Sequence, residues 1–382
     1  MFLILLPAAL LPVLLHGAIV REKRQLEESL ENWPDATVPY YFDDDTMSAA
    51  KKATMLKAMH HISTHTCVKF RPLEERDVGI GYVWIESNDD QGCSSSLGMQ
   101  RDPPGQMVSI TDGCRLLAQS VHEMMHSLGI YHTHTRADRD TYVTVNSTDL
   151  SSISSDNFDT HPAAHLSVPY EYGSVLHYRY DSFYKDGLVV PKDPKYLYTM
   201  GNRRSPTFYD MVNVNTKFSC SCEPKKCSLK CVNGGYSNPS NCSECVCPSG
   251  FGGVLCDGTP VNATILLATE SWQNYSLTLV QSKDKDLEFI EKIVIVRAPE
   301  DRKIQVEITE MEGLADEYGC TYNGMEIKYL GDPRITNPLH CHKANVSSVY
   351  TGKLNPMPVI LYQRGDTPAI FGFRYRFLDQ EL

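Results

Sequence analysis

The segment His122-Glu123-Met124-Met125-His126-Ser127-Leu128-Gly129-Ile130-Tyr131-His132 gathers three imidazoles and a carboxylate in one short run. His122 and His126 are four apart, so on a helix both rings lie on one face and can share one ion. Leu117, Val121, Met124, Met125 and Leu128 supply the apolar helical residues around them. Gly129 suits a left-handed helix stop, after which the chain turns and brings His132 back as a third ligand. Three histidines leave the fourth position of a tetrahedral zinc open, which is the arrangement of a catalytic rather than a structural site. Glu123 follows the first ligand directly. There it can take a proton from water acidified by the metal and carry it to a leaving amine. The spacing therefore predicts one zinc per chain on His122, His126 and His132, with Glu123 as general base. His61 and His65 are also four apart, but they have no third ligand or adjacent Glu at useful spacing and read as ordinary helix residues.

Upstream, Phe2 to Val20 is almost wholly apolar, broken only by Pro7, Pro12 and His16, with Gly17 and Ala18 near its end. This is the pattern of a secretory signal peptide, assigned to residues 1–18. The tetrad Arg21-Glu22-Lys23-Arg24 reads as a processing site, which leaves a short propeptide of residues 19–24. No other segment is long and apolar enough to span a bilayer, so no stable membrane insertion is expected after signal removal. Thirteen cysteines fit an oxidising compartment. Sequons at Asn146, Asn262, Asn274 and Asn345 agree with export and mark candidate glycosylation sites; a fifth, at Asn241, has Cys242 as its middle residue. A net charge of −11 disfavours nucleic acid as the main partner.

Cysteine density divides the rest of the chain. Residues 25–221 hold only Cys67, Cys93, Cys114 and Cys220 and can bury a core of their own. Residues 222–257 hold seven cysteines, together with Asn233-Gly234-Gly235 and Gly250-Phe251-Gly252-Gly253. So short a segment must be stapled. Residues 258–382 keep Cys320 and Cys341 alone, and their apolar residues alternate with a period of two. Ile304, Val306 and Ile308 are one example; Phe371, Phe373, Tyr375 and Phe377 are another. Such strands, separated by turn residues, predict a β-sandwich.

In the zinc motif and in the run Arg136-Ala137-Asp138-Arg139-Asp140 behind it, the sequence resembles the astacin family of metzincin proteases, and its nematode members closely. The similarity takes in Trp33-Pro34, Val38-Pro39-Tyr40, Gly92-Cys93, Gln106-Met107-Val108-Ser109, Cys114 and Asn157-Phe158. It ends on Tyr170-Glu171-Tyr172-Gly173-Ser174-Val175-Leu176-His177-Tyr178, which resembles the family's Met-turn. The resemblance implies an α+β fold: a two-subdomain metzincin-type protease domain, then a disulfide-stapled EGF-like module and a CUB-like β-sandwich. It implies that Tyr178 lies near zinc, able to ligate the metal and then to hydrogen-bond the oxyanion formed in peptide cleavage. It also implies the pairs Cys67–Cys220, Cys93–Cys114, Cys227–Cys242, Cys231–Cys245, Cys247–Cys256 and Cys320–Cys341. Cys222 is then left over: free, paired with another chain, or displacing Cys220 as partner of Cys67.

Some positions depart from the family pattern. Leu176 stands where the family has the Met that packs beneath the ligands. Thr133 stands where a Glu usually follows the third histidine and holds the buried amino terminus. The short propeptide has no room for the aspartate that caps zinc in many astacin zymogens. The resulting expectation is a secreted zinc metalloendopeptidase hydrolysing peptide bonds of extracellular proteins. The alternative is a catalytically weak adhesion or binding protein acting through its EGF-like and CUB modules. The intact ligands and Glu123 count against it.

Overall fold

The computed structural model describes residues 31–101, 105–146, 156–162, 167–222, 229–282 and 287–379. The expected signal peptide and propeptide lie outside them. A five-stranded sheet opens the chain: β1 (Thr37–Phe42), β2 (Lys69–Pro72), β3 (Tyr82–Glu86), β4 (Ser94–Ser95) and β5 (Gly105–Ser109). Their order is β2-β1-β3-β5-β4, and only β4 runs antiparallel to its neighbour. In β3 the buried residues are Val83 and Ile85, two apart, so one face of the sheet looks into the core.

Helix α1 (Ala49–His65) begins where the Ser48 hydroxyl accepts a hydrogen bond from Lys51 N, satisfying one orphan donor of the first turn. It turns Met55, Ala58, Met59 and Ile62 inward at helical spacing. Helix α2 (Leu117–Ser127) carries the first two candidate ligands and is buried on nearly all sides, from Ala118 to Ser127 save Gln119. A helix closed in all round cannot drift, which suits it to hold a metal site. Strands, α1, α2 and α3 (Phe208–Lys217) share one apolar cluster that includes Val38, Ile62, Val83, Met124, Leu176 and Val214. The lower part is less regular. It has a two-stranded ribbon of β6 (Val143–Val145) and β7 (Val189–Pro191) and an aromatic-rich cluster of Phe158, Tyr170, Tyr172 and Met200. The two expected subdomains are thus a sheet-based one and a less regular one. Cys67–Cys220 and Cys93–Cys114 close as expected.

The cysteine-dense segment is little more than the hairpin β8 (Tyr236–Ser237) and β9 (Cys245–Val246). Cys231–Cys245 and Cys247–Cys256 close as expected. The expected Cys227–Cys242 pair is corrected: Cys242 is bridged to Cys222, with Cα atoms 5.8 Å apart, so Cys222 is not the cysteine left over. Cys227 lies outside the described residues. The cause is docking. Asn238 Nδ2 donates to Thr64 O (3.0 Å) and the Tyr236 hydroxyl to His65 O (2.9 Å), both at the end of α1. This brings the Asn241-Cys242 turn beside Cys220-Ser221-Cys222, itself tied to Cys67.

The C-terminal part is two facing sheets. Strands β10 (Thr264–Leu267), β12 (Ile290–Arg297), β17 (Met357–Gln363), β14 (Asn323–Ile327) and β15 (Leu339–His340) form one, in that order. Strands β11 (Gln273–Leu279), β18 (Ala369–Leu378), β13 (Lys303–Glu312) and β16 (Val349–Thr351) form the other. Val294, Met325, Val359 and Leu361 from the first meet Ile304, Val306, Ile308, Phe371 and Phe373 from the second in one core, so the expected β-sandwich is present. Cys320–Cys341 links its loops.

The sandwich lies directly on the catalytic part. Thr336 N donates to the Glu171 carboxylate (3.1 Å), Leu339 N to the Thr199 hydroxyl (2.9 Å), and the Tyr209 hydroxyl to Asp332 (3.1 Å). Arg204 pairs with Glu326 at 3.3 Å, both side chains almost wholly buried, and its guanidinium lies 5.0 Å from the Tyr362 ring centroid. Among the described residues, no helix is long and apolar enough to cross a membrane.

Candidate active site

The end of α2 sets the geometry. Gly129 has φ +80°, and its N–H bonds His126 O (2.7 Å) while Ile130 N–H reaches back to Met125 O (3.0 Å). This pair of bonds is a Schellman stop. It turns the Ile130 carbonyl onto His126 Nδ1 (2.8 Å) and sends His132 back over the helix. His122 Nδ1 is bonded to Val175 O (2.6 Å), from the turn that contains Leu176. With Nδ1 donating to a carbonyl on both helical histidines, each Nε2 is left as an acceptor. His126 Nε2 lies 3.0 Å from His122 Nε2 and 3.0 Å from His132 Nε2, and one ligand atom from each lies within 4.8 Å of the others. Burial pushes the pKa of all three rings down, that of His126 to about 4, so they are neutral and able to donate lone pairs. This donor set fits zinc with a position to spare. It is the one group of its kind among the described residues; His61 and His65 merely stack, with ring centroids 4.4 Å apart.

Glu123 is buried, and desolvation raises its pKa to about 8, against a smaller lowering from Arg203. Tyr178 lies beside the third ligand, its ring centroid 4.5 Å from that of His132 and 4.1 Å from that of His134. Burial is also the main reason its phenol is pushed up to about 12. Leu176 is fully buried in the core cluster that also holds Met124 and Met125 of the ligand helix, and its carbonyl accepts from Thr133 N (3.0 Å). Leucine therefore fills the methionine position without leaving the layer.

Sequence reasoning missed two residues. Arg203 Nη1 donates to Val175 O (3.0 Å), the same carbonyl that orients His122. Its charge bears on Glu123 and Tyr178. The only trace in the sequence is the pair Arg203-Arg204, which by itself reads as solvated charge. Glu171 lines the small pocket that also holds Thr133 and Arg136. It is buried, its pKa pushed up to about 8 by desolvation, and it accepts from Gly173 N (2.9 Å) as well as from Thr336 N. The pocket beside Thr133 thus has a carboxylate from elsewhere in the chain.

Convergent neutral imidazoles on a buried helix, a carboxylate next to the first of them, and a tyrosine beside the third define a catalytic zinc site of the metzincin kind. The family description Astacin, a peptidase family, matches residues 25–219. Zinc metalloproteinase nas-17 of Caenorhabditis elegans is 39% identical over 97% of this chain and 84% of its own length. Zinc metalloproteinase nas-25 of the same organism is 37% identical over 95% of this chain and 92% of its own. Among solved structures, high choriolytic enzyme 1, a hatching enzyme zinc-protease from Oryzias latipes, shares 28% identity over 50% of this chain and 94% of its own, with a TM-score of 0.43. The chain belongs to the astacin family of zinc metallopeptidases. The family uses one catalytic zinc, which the cluster of His122, His126 and His132 fits, and it acts on peptide substrates.

Proposed function

We propose that this enzyme is a secreted endopeptidase that cuts extracellular proteins, with Glu123 as general base and Tyr178 as oxyanion donor. The observation that carries this reading is a buried Glu123 next in the chain to the first of three converging imidazoles. Zinc in that site supplies Lewis acidity toward water and the scissile carbonyl. Glu123 takes the proton of the attacking water and gives it to the leaving amine. Burial alone pushes its pKa up, and the positive charge of zinc and of Arg203 works against that rise, so the carboxylate form is available to accept the proton. Arg203 faces it with a fixed positive charge and limits that rise. Tyr178, held protonated by burial, keeps a hydroxyl hydrogen to offer the tetrahedral oxyanion.

Six disulfides support an extracellular setting. Asn146, Asn262 and Asn274 are exposed, as a glycan requires. Asn345 is half-buried and its side-chain oxygen accepts from His342 N, which makes it the weakest acceptor of the four. The domain reading remains a protease of residues 25–221, an EGF-like module of 222–257 and a CUB-like sandwich of 258–382. The test is direct. The purified secreted protein is expected to carry one zinc per chain and to cleave a broad peptide library, with cleavage lost on chelation and restored by zinc. Zinc-loaded protein that cuts nothing in the library makes the adhesion reading the better one.

A further inference from the structure

Beside Tyr178 and Arg203 lies an open pocket of about 760 Å³, and only part of its wall is protease. Leu116 and Phe183 come from the catalytic part; Glu317, Thr321, Tyr322 and Arg364 come from the β-sandwich. Two of its aromatic residues are left open to solvent, Phe183 at 45% and Tyr322 at 42%, one from each module. Exposed large apolar side chains that line a common pocket mark a binding surface more than a random surface residue does.

Both are held in place. Phe183 sits at φ 57°, ψ 32°, the left-handed region that a bulky side chain disfavours, and its ring stands edge-on to Tyr178 at 5.7 Å. Tyr322 has the Arg364 guanidinium 3.6 Å from its ring centroid, while Arg364 Nε donates to Thr321 O (2.6 Å). The loop bearing Tyr322 is pinned to the protease. A Cβ on Gly319 would come 2.6 Å from Gly201 O, so the two backbones touch, and Tyr318 stacks on Tyr198 with centroids 5.3 Å apart. The sandwich is therefore a fixed side of the cleft.

The acidic groups of the pocket have partners. Asp112 has Lys51 at 3.2 Å, Asp181 has Arg179 at 2.9 Å, and Glu317 accepts from the Thr321 hydroxyl. What stays open is the ring surface of Phe183 and Tyr322 that Tyr178 and Arg364 do not cover. We propose that this pocket is a substrate subsite built jointly by the two modules, and that Phe183 and Tyr322 clamp an aromatic side chain of an extended polypeptide some residues away from the scissile bond. The occupant follows from continuity: Tyr178 lines both this pocket and the zinc site, so a chain bound for cleavage on the endopeptidase reading passes beside it. The proposal rests on the endopeptidase reading above.

The experiment uses the full-length, zinc-loaded enzyme and long peptides with one cleavable bond, in which Phe replaces Ala at each position beyond the two residues flanking that bond. The quantity read is the ratio of kcat/KM for Phe over Ala, measured within one enzyme preparation, so that loss of folded protein cancels. The parent is expected to favour Phe about tenfold at one such position. Tyr322→Ala is expected to bring that ratio close to one, and Tyr322→Trp to keep it. A parent with no remote Phe preference, or a preference unchanged in both Tyr322→Ala and Phe183→Ala, overturns the subsite. A parent that cuts none of the peptides overturns the endopeptidase reading instead.

Discussion

Val175 offers one carbonyl oxygen to two side chains: His122 through Nδ1 and Arg203 through Nη1. That shared acceptor orients the first zinc ligand and sets a positive charge near Glu123 with a single backbone atom. Tyr178 belongs to the same small group, packed against His132 and His134. Its packing is made by the ring and its proposed chemistry by the hydroxyl, so the two can be separated. Tyr178→Phe keeps the ring and is expected to retain zinc and KM while lowering kcat by about 100-fold, the worth of one oxyanion donor at roughly 3 kcal/mol. An unchanged kcat denies the hydroxyl that role.

At the scale of elements, α2 was legible because everything it needs is local. The i, i+4 spacing, the apolar residues around it and the Gly129 stop lie within a few turns, and all three reappear in the structure. The alternation of Ile304, Val306 and Ile308 foretold β13 for the same reason. Arg203, Glu171 and the Cys222 bridge were not legible, because each depends on a partner far away in sequence. Glu171 is fixed by Thr336 of the sandwich, and Cys222 by the docking of Asn238 on α1. Spacing within the cysteine-dense segment cannot reveal that docking. Mass mapping of the unreduced protein checks it: a peptide joining Cys222 to Cys242 is expected, and one joining Cys227 to Cys242 contradicts the packing described above.

At the scale of the molecule, the sandwich is locked to the catalytic part by buried polar contacts, the Arg204–Glu326 ion pair and the hydrogen bond from Thr336 N to Glu171. Buried titratable groups shape its stability against pH. His177 and His340 are held neutral by burial, with pKa values pushed down to about 4, and His61 to about 3. The unfolded chain takes up their protons first, so stability is lost as pH falls from 6.5 toward 4. Glu171 works in the opposite sense. Its folded pKa of about 8 means the unfolded chain loses that proton first, so stability falls as pH rises from 4.5 to 8. Three histidines outweigh the carboxyls below pH 6.5, and above it the buried carboxyls Glu171 and Glu123, both raised, dominate. Thermal midpoints are expected to peak near pH 6.5, with Glu171→Gln lessening the alkaline fall and leaving the acid limb unchanged; a midpoint that climbs steadily to pH 8 contradicts the assignment.

The proposed chemistry comes down to Glu123 moving a proton beside a three-histidine zinc. Glu123→Gln isolates that step, since the amide has nearly the same size and packing but cannot accept the proton. Zinc content and peptide hydrolysis are measured together on parent and variant. The expected result is one zinc per chain in both, with hydrolysis reduced by about 10²- to 10⁴-fold in the variant. A zinc-loaded variant that hydrolyses peptides within a few-fold of the parent contradicts the claim.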